Sequence, residues 1–240
     1  MIEQFNFIYC LAGKGKRFTT QNITLPKYLL KLESGETILE RSLTEFHFSN
    51  EVNIFIVINE AHKDFVGEIE KELSKFNNFH QIISTPDTKG QAETGFIGCN
   101  MITNDYPIFF FNGDTILKSR DISLMSNDLK QNYTGAIDAF IEDKDHFSFI
   151  KLTEEDYVVE IAEKKVISKF ATTGLYGFSN KEIYMKYYRE LQTKNEMYIS
   201  DIYKLMLSHN EQIKGYVHKN TLDTIILGTP EEYFSNKNKV

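Results

Sequence analysis

Cysteine is scarce in this sequence, which has two in 240 residues, Cys10 and Cys99, each inside an apolar stretch. Isolated thiols in apolar surroundings are typical of buried free cysteines in a reducing compartment, not of a disulfide framework. Long apolar runs are also missing, because the first run, residues 5–12, is too short for a signal peptide or a membrane span. We therefore expect a soluble, cytoplasmic protein that does not enter a membrane.

An excess of positive charge is absent as well: 27 Lys and Arg residues stand against 34 Asp and Glu, a net charge of -7. This balance argues against nucleic-acid or membrane-surface binding, so local basic residues must meet any phosphate ligand. The sequence contains no repeat, low-complexity tract or linker, and no long tail for an appended β-helix or acyltransferase domain. We therefore interpret residues 1–240 as a single catalytic domain with one well-buried core.

The apolar pattern predicts strands that alternate with helices up to residue 134. Continuous apolar runs, typical of buried parallel strands, occupy residues 5–11, 52–58 and 107–111, and a shorter strand is expected at 81–83. Helical spacing is present at 38–46, 61–76 and 90–101, with Thr37 as an N-cap. This alternation predicts an α/β fold with a doubly wound sheet.

From Gly135 onwards the pattern changes. Short strands at 136–141, 147–152 and 157–161 follow one another without helices, which favours antiparallel pairing. Helices are then expected at 179–191 and 200–209, the second capped by Ser200. Strands at 213–217 and 224–227 and a short helix near 230–234 complete the prediction. The fold class is thus a mixed sheet with a small antiparallel insertion.

The most informative stretch directly follows the first apolar run and comprises Leu11, Ala12, Gly13, Lys14, Gly15, Lys16 and Arg17. The two glycines let backbone N–H groups close on an oxyanion, and three basic residues add positive charge. The composition is that of a phosphate-binding loop. It is not a P-loop, whose glycines stand further apart, nor a dinucleotide fingerprint, because Phe18 stands where a third glycine is needed.

This loop resembles the Ala-Gly-x-Gly-x-Arg signature of nucleotidyltransferases that join a nucleoside monophosphate to a phosphorylated sugar or alcohol. Further motifs of that family follow in its order: Pro26-Lys27, Gly90-Gln91-Ala92, Asn112-Gly113-Asp114, Glu163-Lys164, Thr173-Gly174-Leu175-Tyr176 and Gly228-Thr229-Pro230-Glu231. Each match is short, but their joint order is specific. The resemblance implies a Rossmann-like fold with a nucleotide-binding half, residues 1–134, and an acceptor-binding half, residues 135–240.

The resemblance also implies residue roles. Arg17 and Lys27 are the candidate catalytic residues, Arg17 clamping the β- and γ-phosphates and Lys27 bridging acceptor and α-phosphate. The nucleotide is expected to contact residues 11–17 together with Ser84, Gly90, Gln91, Asn112 and Gly113. The acceptor is expected at Glu163, Lys164, Thr173 and Gly174. Plain alternatives stay open, since Pro-Lys is common in surface loops, Gly90 can simply begin a helix, and residues 163–164 can be a charged hairpin end.

A magnesium site is expected at Asp114, which directly follows a buried strand at the edge where open α/β sheets bind ligands. The resembled family also carries Asp-x-Gly-Thr near its end as a second metal ligand, but Ile226 occupies that aspartate position here. Asp223 is the candidate replacement. Its odd offset from residue 226 turns it to the opposite face of a regular strand, so only a bulge would bring it inward. Lys16 also departs from the family, which mostly has a small hydroxyl residue there.

The sequence therefore predicts a Mg²⁺-dependent nucleotidyltransferase that uses a nucleoside triphosphate and a phosphorylated small molecule such as a sugar 1-phosphate, and releases pyrophosphate. CTP is favoured because the chain is short like the cytidylyltransferases, with UTP and dTTP as alternatives, and capsule or other surface polysaccharide assembly is the expected role. The alternatives are a non-sugar phosphate acceptor, a catalytically silent nucleotide-sensing domain, and a glycosyltransferase, whose Asp-x-Asp motif is absent after residues 107–111. The sequence leaves the oligomeric state open, a homo-oligomer included.

Overall fold

Strands and helices alternate through the first half of the chain in the computed structural model, which describes residues 4–191 and 196–240. This half contains β1 (Asn6–Leu11), α1 (Lys16–Thr19), α2 (Ile38–Phe46), β2 (Asn53–Asn59), α3 (Val66–Leu73), β3 (His80–Thr85), α4 (Gln91–Cys99), β4 (Ile108–Phe111), β5 (Thr115–Leu117) and α5 (Ile122–Gln131). The second half contains β6 (Gly135–Ile141), β7 (Ser148–Leu152), β8 (Val158–Glu163), β9 (Phe170–Phe178), α6 (Lys181–Glu190), α7 (Ile199–Ser208), β10 (Ile213–His218), β11 (Thr224–Ile226) and α8 (Pro230–Asn236).

A single mixed sheet organises these elements, with strand order β10-β6-β9-β4-β1-β2-β3 and with β7 and β8 attached through β9. Strand β1 pairs in parallel with β2 and β4, and β2 pairs in parallel with β3. Strand β9 is antiparallel to both β4 and β6. Outside the main sheet, β5 and β11 form an antiparallel pair. The predicted α/β fold with a mixed sheet is therefore confirmed.

Both faces of the sheet are covered, which explains why the parallel strands are apolar without alternation. On β1, Ile8 packs against α4 and belongs to one core cluster, which also contains Phe110 and residues of α6 and α7. Its neighbours Phe7 and Tyr9 point to the opposite cluster beneath α2, α3 and α5, which includes Phe111. Helix α2 begins where the sequence predicts, because the Thr37 hydroxyl accepts a hydrogen bond from the backbone N–H of Glu40. Because β1 and β4 are parallel, their carboxyl ends lie at the same edge of this covered sheet.

Several elements differ from the prediction. The helix predicted at 61–76 is a 3-10 helix, Glu60–Phe65, followed by α3. The expectation of antiparallel pairing among the strands at 136–141, 147–152 and 157–161 is correct for β7 and β8. Strand β6 does not pair with them but lies between β9, to which it is antiparallel, and β10, to which it is parallel. The apolar pattern does not predict β9, because two threonines and two glycines interrupt its buried residues and leave no continuous apolar run. It also overlooks α5, although Asp121 caps that helix.

The structure shows the surroundings of the two cysteines and the lengths of the apolar helices. Cys10 is half-buried and Cys99 buried, and both are free thiols. Burial raises the pKa of both thiols. Within the described residues, no helix is long and apolar enough to cross a membrane.

Candidate active site

A cavity of about 700 Å³ lies at the carboxyl ends of β1 and β4. This volume falls within the range of small-molecule sites. The cavity joins both halves of the chain: its wall includes residues 11–17 and Lys27 from the first half and Glu163, Thr173 and Gly174 from the second. Of the sequence-predicted site residues, the structure brings all to this wall except Ser84, Gly113, Lys164 and Asp223.

The glycine loop connects β1 to the short helix α1. Gly15 adopts a left-handed conformation with φ of 61° and is the residue before the first turn of α1. Lys14 forms an ion pair with Asp87, which holds the pKa of that carboxyl below its usual range. By contrast, the guanidinium of Arg17 has neither an ion pair nor a hydrogen bond with any residue in the described ranges. Arg17 is exposed at the cavity wall, so its charge is available to an anionic ligand.

An ion pair between Lys27 and Asp114 lies at the centre of the site. The Lys27 ammonium is 2.6 Å from Asp114 Oδ2, and the two side chains are only 23% and 19% exposed. Lys27 begins a 3-10 helix after Pro26, whereas Asp114 follows β4 through the turn at Gly113. The backbone oxygen of Asp114 accepts a hydrogen bond from the N–H of Leu227 at 2.9 Å, which joins it to the end of β11.

A second carboxylate, that of Glu232, lies next to Asp114. Glu232 is the third residue of α8, and its Oε2 accepts a hydrogen bond from the backbone N–H of Thr229 at 2.9 Å. An ideal Cβ placed on Gly228 would lie 3.1 Å from Asp114 Oδ2 and 3.6 Å from Glu232 Oε2. Within the described ranges, no three His, Cys, Asp or Glu side chains form a metal-binding group. Mg²⁺ at nucleotide sites commonly uses one or two carboxylates together with substrate phosphates, and Asp114 and Glu232 provide such oxygen donors.

The Gly90 segment packs differently from the expectation. Gly90 has φ of 144°, and an ideal Cβ there would lie 2.5 Å from the backbone oxygen of Met197. Glycine at this position therefore allows residues 196–198 to approach the start of α4, and Ala92 N–H also donates to Met197 O. Gly90 still lines the cavity, but glycine is required at this position because a side chain would collide with the backbone of Met197. The Gln91 amide donates to Asn112 Oδ1 at 2.9 Å, which joins α4 to the end of β4.

A bulge in β9 shapes the part of the cavity wall that contains the predicted acceptor residues Thr173 and Gly174. Between Thr172 and Tyr176 the register with β6 advances by four residues on β9 and by two on β6, so Thr173 and Gly174 lie outside that ladder. Bulges often turn backbone groups toward functional sites. The Thr173 hydroxyl does not face a ligand, because it donates to the buried carboxylate of Asp138 at 2.7 Å. The backbone at Thr173 and Gly174, not the threonine side chain, is thus available to a ligand.

Gly174→Ala is expected to destabilise the protein well beyond the cost of a left-handed alanine. Gly174 has φ of 86°, and an added Cβ would overlap the carboxamide of Asn112. Gly35→Ala is the matched control, because Gly35 has φ of 89° with no atom within 4 Å of its Cβ position. The control isolates the backbone strain, about 1–2 kcal/mol. Urea denaturation of both variants measures the difference, and equal losses would show that Asn112 moves aside freely.

Glu163 is held by two hydroxyl groups at the end of β8. Its Oε2 accepts hydrogen bonds from Ser148 on β7 and from Ser200 Oγ, the latter at 2.8 Å. The prediction that Ser200 caps α7 is wrong: the helix begins at Ile199, one residue earlier, and the Asp201 carboxylate accepts from the N–H of Tyr198. Ser200 instead faces the cavity and orients a predicted site carboxylate. Both serines can orient Glu163 so that its other oxygen is free to accept ligand hydroxyls.

Lys164 lies at the rim of the cavity, not in its wall. It adopts a left-handed conformation with φ of 50°, and its ammonium donates to the Tyr198 hydroxyl at 2.6 Å. This hydrogen bond raises the pKa of Lys164. The Tyr198 hydroxyl in turn donates to the carboxylate of Glu196. Lys164 is therefore joined to the cavity through residues 196–198, a connection that the sequence did not indicate.

Ser84 and Gly113 are two further predicted residues that do not line the cavity. Ser84 is exposed on β3, the strand at the edge of the sheet, and the cavity is reached instead by Asp87 and Thr88 from the loop that follows. Gly113 turns the chain between Asn112 and Asp114, and a Cβ there would lie 2.6 Å from Leu11 Cδ2. Its glycine is required by that packing. Gly113 therefore supports the wall through Leu11, whereas Ser84 lies outside the wall.

Asp223, the predicted second metal ligand, is also outside the cavity. It ends a 3-10 helix, and its backbone oxygen accepts a hydrogen bond from Arg120 Nη1 at 3.0 Å. The strand that follows, β11, pairs with β5 in regular register, and its last residue, Ile226, reaches the cavity wall. No bulge interrupts these described pairs, and Asp223 lies just before the strand, outside the cavity wall. The structure therefore does not bring Asp223 to Asp114.

Several polar residues of the cavity wall were not predicted from the sequence, among them Tyr198, His146 and Glu232. Tyr198 and His146 lie in loops whose positions depend on distant contacts, so no local pattern marks them. The position of Glu232 could have been predicted from the sequence. Thr229 and Glu232 are three residues apart and match the Ser/Thr-x-x-Glu pattern of a capping box. That pattern places the Glu232 side chain at the beginning of α8, beside Gly228, and Gly228 belongs to a predicted motif.

Known proteins resemble this chain over nearly its whole length. The family described as nucleotidyl transferase matches residues 10–240. A nucleoside-diphosphate-sugar pyrophosphorylase from Vibrio cholerae RC9 has a similar structure, with a TM-score of 0.82 and 26% identity over 95% of this chain and 98% of that one. The inositol-1-phosphate CTP transferase from T. maritima (TM-score 0.76, 14% identity, 96% and 91% covered) and a UDP-glucose pyrophosphorylase with bound UDP-glucose (0.79, 18%, 99% and 97%) share the fold. Among curated proteins, none matches the chain.

Proposed function

Because this chain belongs to the nucleotidyl transferase family, we propose that it transfers a nucleoside monophosphate from a nucleoside triphosphate to a phosphorylated small molecule, releasing pyrophosphate. The observation that carries this proposal is the single cavity that joins the glycine loop, the Lys27–Asp114 pair and Glu163. Two anionic reactants must approach each other, so a site of this kind needs positive charge at one end and hydroxyl acceptors at the other.

In the proposed reaction, an oxygen of the acceptor phosphate forms a bond to the α-phosphorus. The bond from that phosphorus to the bridging oxygen breaks, and the electron pair leaves with pyrophosphate. Backbone N–H groups at Gly13 and Gly15 and the free guanidinium of Arg17 bind the β- and γ-phosphates. Lys27 lies deeper in the wall, where its ammonium can reach both the α-phosphate and the attacking oxygen. These groups supply alignment and charge neutralisation, which carry most of the rate in phosphoryl-type transfers.

A Mg²⁺ ion fits the donor set beside Gly228. Asp114 and Glu232 present hard carboxylate oxygens around the space that a Cβ on Gly228 would enter. When bound, Mg²⁺ neutralises phosphate charge and orients the leaving group. Asp114 is the principal proposed ligand, because it follows β4 directly at the ligand-binding edge of the sheet. Its contact with the Lys27 ammonium orients the carboxylate before a nucleotide arrives.

On the acceptor side, we assign Glu163 to hydroxyl groups and Lys164 to the acceptor phosphate. Ser148 and Ser200 hold one oxygen of Glu163, so the other oxygen can accept hydrogen bonds from a hydroxylated acceptor. Such an arrangement suits a sugar 1-phosphate or another phosphorylated polyol. The family resemblance to enzymes of nucleotide-sugar synthesis supports a role in surface polysaccharide assembly.

CTP is the favoured nucleotide, with UTP and dTTP as alternatives. The support for CTP is the likeness in fold to a protein described as an inositol-1-phosphate CTP transferase, and a similar likeness to a UDP-glucose pyrophosphorylase supports UTP as the alternative. A site that selects cytosine must accept a hydrogen bond from its amino group, whereas uracil presents a carbonyl there. We assign the base to the loop at residues 87–90, which lines the cavity and offers backbone and carboxylate oxygens.

The test is pyrophosphate release from each nucleoside triphosphate with Mg²⁺ and a panel of sugar 1-phosphates, phospho-alcohols and phospho-amino-acid derivatives. We expect pyrophosphate release with a pyrimidine nucleotide. We also expect kcat/KM to be at least tenfold higher for CTP than for ATP. Thermal shift in the same panel reports binding separately, since a ligand at 100 times its Kd stabilises by about 2.7 kcal/mol. Binding without pyrophosphate release would instead support a silent nucleotide-sensing domain, which the Ile226 position also favours.

A further inference from the structure

We propose that Glu232 is the second carboxylate of the divalent-cation site, next to Asp114. In the resembled family this carboxylate belongs to an aspartate two residues before the Gly-Thr pair, and in this chain Ile226 stands there. The inference rests on the proposed function for the presence of the cation. The geometry of Glu232 is independent of that function.

The positions of the two carboxylates carry the inference. An ideal Cβ on Gly228 would lie 3.1 Å from Asp114 Oδ2 and 3.6 Å from Glu232 Oε2, so both carboxylates border one small space. Glycine at residue 228 leaves that space open. The hydrogen bond from Leu227 N–H to Asp114 O holds the end of β11 against Asp114, and α8 begins three residues later. The same backbone contact therefore fixes both oxygen donors.

The charges around these carboxylates also support a cation between them. Asp114 is paired with the Lys27 ammonium at 2.6 Å, and Glu232 Oε1 lies 3.5 Å from His146 Nε2. Asp114 and Glu232 are only 19% and 18% exposed, so their charges are poorly screened and need nearby positive partners. A divalent cation between them would satisfy both carboxylates with one ion. Lys27 would then be free to contact phosphate.

A purely structural role for Glu232 is the alternative, because its Oε2 completes the capping box of α8 with Thr229. The cap does not require the charge, since glutamine serves equally well at this position of a capping box. Glu232→Gln therefore removes a metal ligand while keeping the cap. Glu231→Gln is the matched control, because Glu231 is exposed on the same helical turn and does not line the cavity.

The experiment is a titration of each protein with Mn²⁺ alone, followed by electron paramagnetic resonance of the free ion. We expect Glu232→Gln and Asp114→Asn each to weaken Mn²⁺ binding at least tenfold, and Glu231→Gln to change it less than twofold. Thermal unfolding of Glu232→Gln should match the wild type. Adding Ile226→Asp to Glu232→Gln should restore Mn²⁺ affinity to within a few fold of the wild type, because it places a carboxylate at the family's position.

The outcomes separate this inference from the proposed function. If Glu232→Gln binds Mn²⁺ as the wild type does, Glu232 is not a ligand, and Asp114 can still serve the proposed reaction. If the wild type binds Mn²⁺ no better than Asp114→Asn, no metal is held at this place and the inference is likewise overturned. If Glu232→Gln weakens Mn²⁺ binding tenfold but the wild type releases no pyrophosphate with any nucleotide, the inference stands and the proposed function fails.

Discussion

Asp114→Asn is expected to lower Mg²⁺-dependent turnover about a thousandfold, a change equivalent to about 4 kcal/mol in the barrier. Asp114 lies at the ligand-binding edge of the sheet, and its Oδ2 is paired with Lys27 at 2.6 Å. The substitution removes the charge that holds both the proposed cation and Lys27, so two contributions to charge neutralisation are lost together. Turnover measured against Mg²⁺ concentration is the readout, because a lost ligand also shifts the concentration that gives half-maximal rate.

Asp223→Asn is the control for that prediction. Asp223 does not line the cavity, and its contact with Arg120 is made through its backbone oxygen, which the substitution keeps. We expect its turnover to remain within about twofold of the wild type. Equal and complete losses in both variants would show that Asp223 is a ligand after all. A fully active Asp114→Asn enzyme would remove the metal assignment from the mechanism.

Arg17→Ala is expected to lower kcat about a hundred- to a thousandfold while leaving thermal stability unchanged. The guanidinium has no partner among the described side chains and is exposed, so its removal breaks no contact of the folded protein. Its proposed partners are the β- and γ-phosphates, whose charge increases as pyrophosphate leaves. Loss of one such donor in other enzymes costs about 2.7 to 4 kcal/mol. Steady-state kinetics with saturating nucleotide, together with a thermal melt, measure both effects.

Arg17→Lys tests whether charge alone is sufficient. Lysine keeps the positive charge but cannot form two parallel hydrogen bonds to a phosphate. We expect an intermediate loss, between those of wild type and Arg17→Ala. Near wild-type turnover in Arg17→Ala would exclude Arg17 from the reaction, whereas equal losses in both variants would show that the bidentate geometry carries its whole effect.

The sequence predicted the first half of the fold more accurately than the second. Strands β1, β2 and β4 are continuous apolar runs because both faces of the sheet are covered, and such runs are visible without knowledge of the tertiary structure. Strand β9 is equally buried, but its run is interrupted by the Gly174 bulge, so its pattern matches neither a strand nor a helix. Pairing partners are a property of the assembled sheet, which is why the parallel pairing of β10 with β6 could not be predicted.

Within the site, local sequence motifs located some residues, whereas the positions of others depend on tertiary contacts. The glycine loop and Asp114 are adjacent to strand ends, so sequence position alone places them at the same edge of the sheet. Ser200 was assigned to a helix cap, because serine near a helix start is usually a cap. Its actual partner, Glu163, is 37 residues away in sequence, and only the packing of α7 on β8 brings them together.

The sequence by itself determined the α/β class, the glycine-rich, basic character of residues 11–17 and the absence of a carboxylate at residue 226. Each follows from local composition, because backbone freedom, charge and side-chain chemistry belong to the residue. Only the tertiary structure decided that Asp223 is outside the cavity and that Glu232 lies beside Asp114. Those positions depend on the register of β11 with β5 and on where α8 begins, since contacts between distant segments form only when the chain packs.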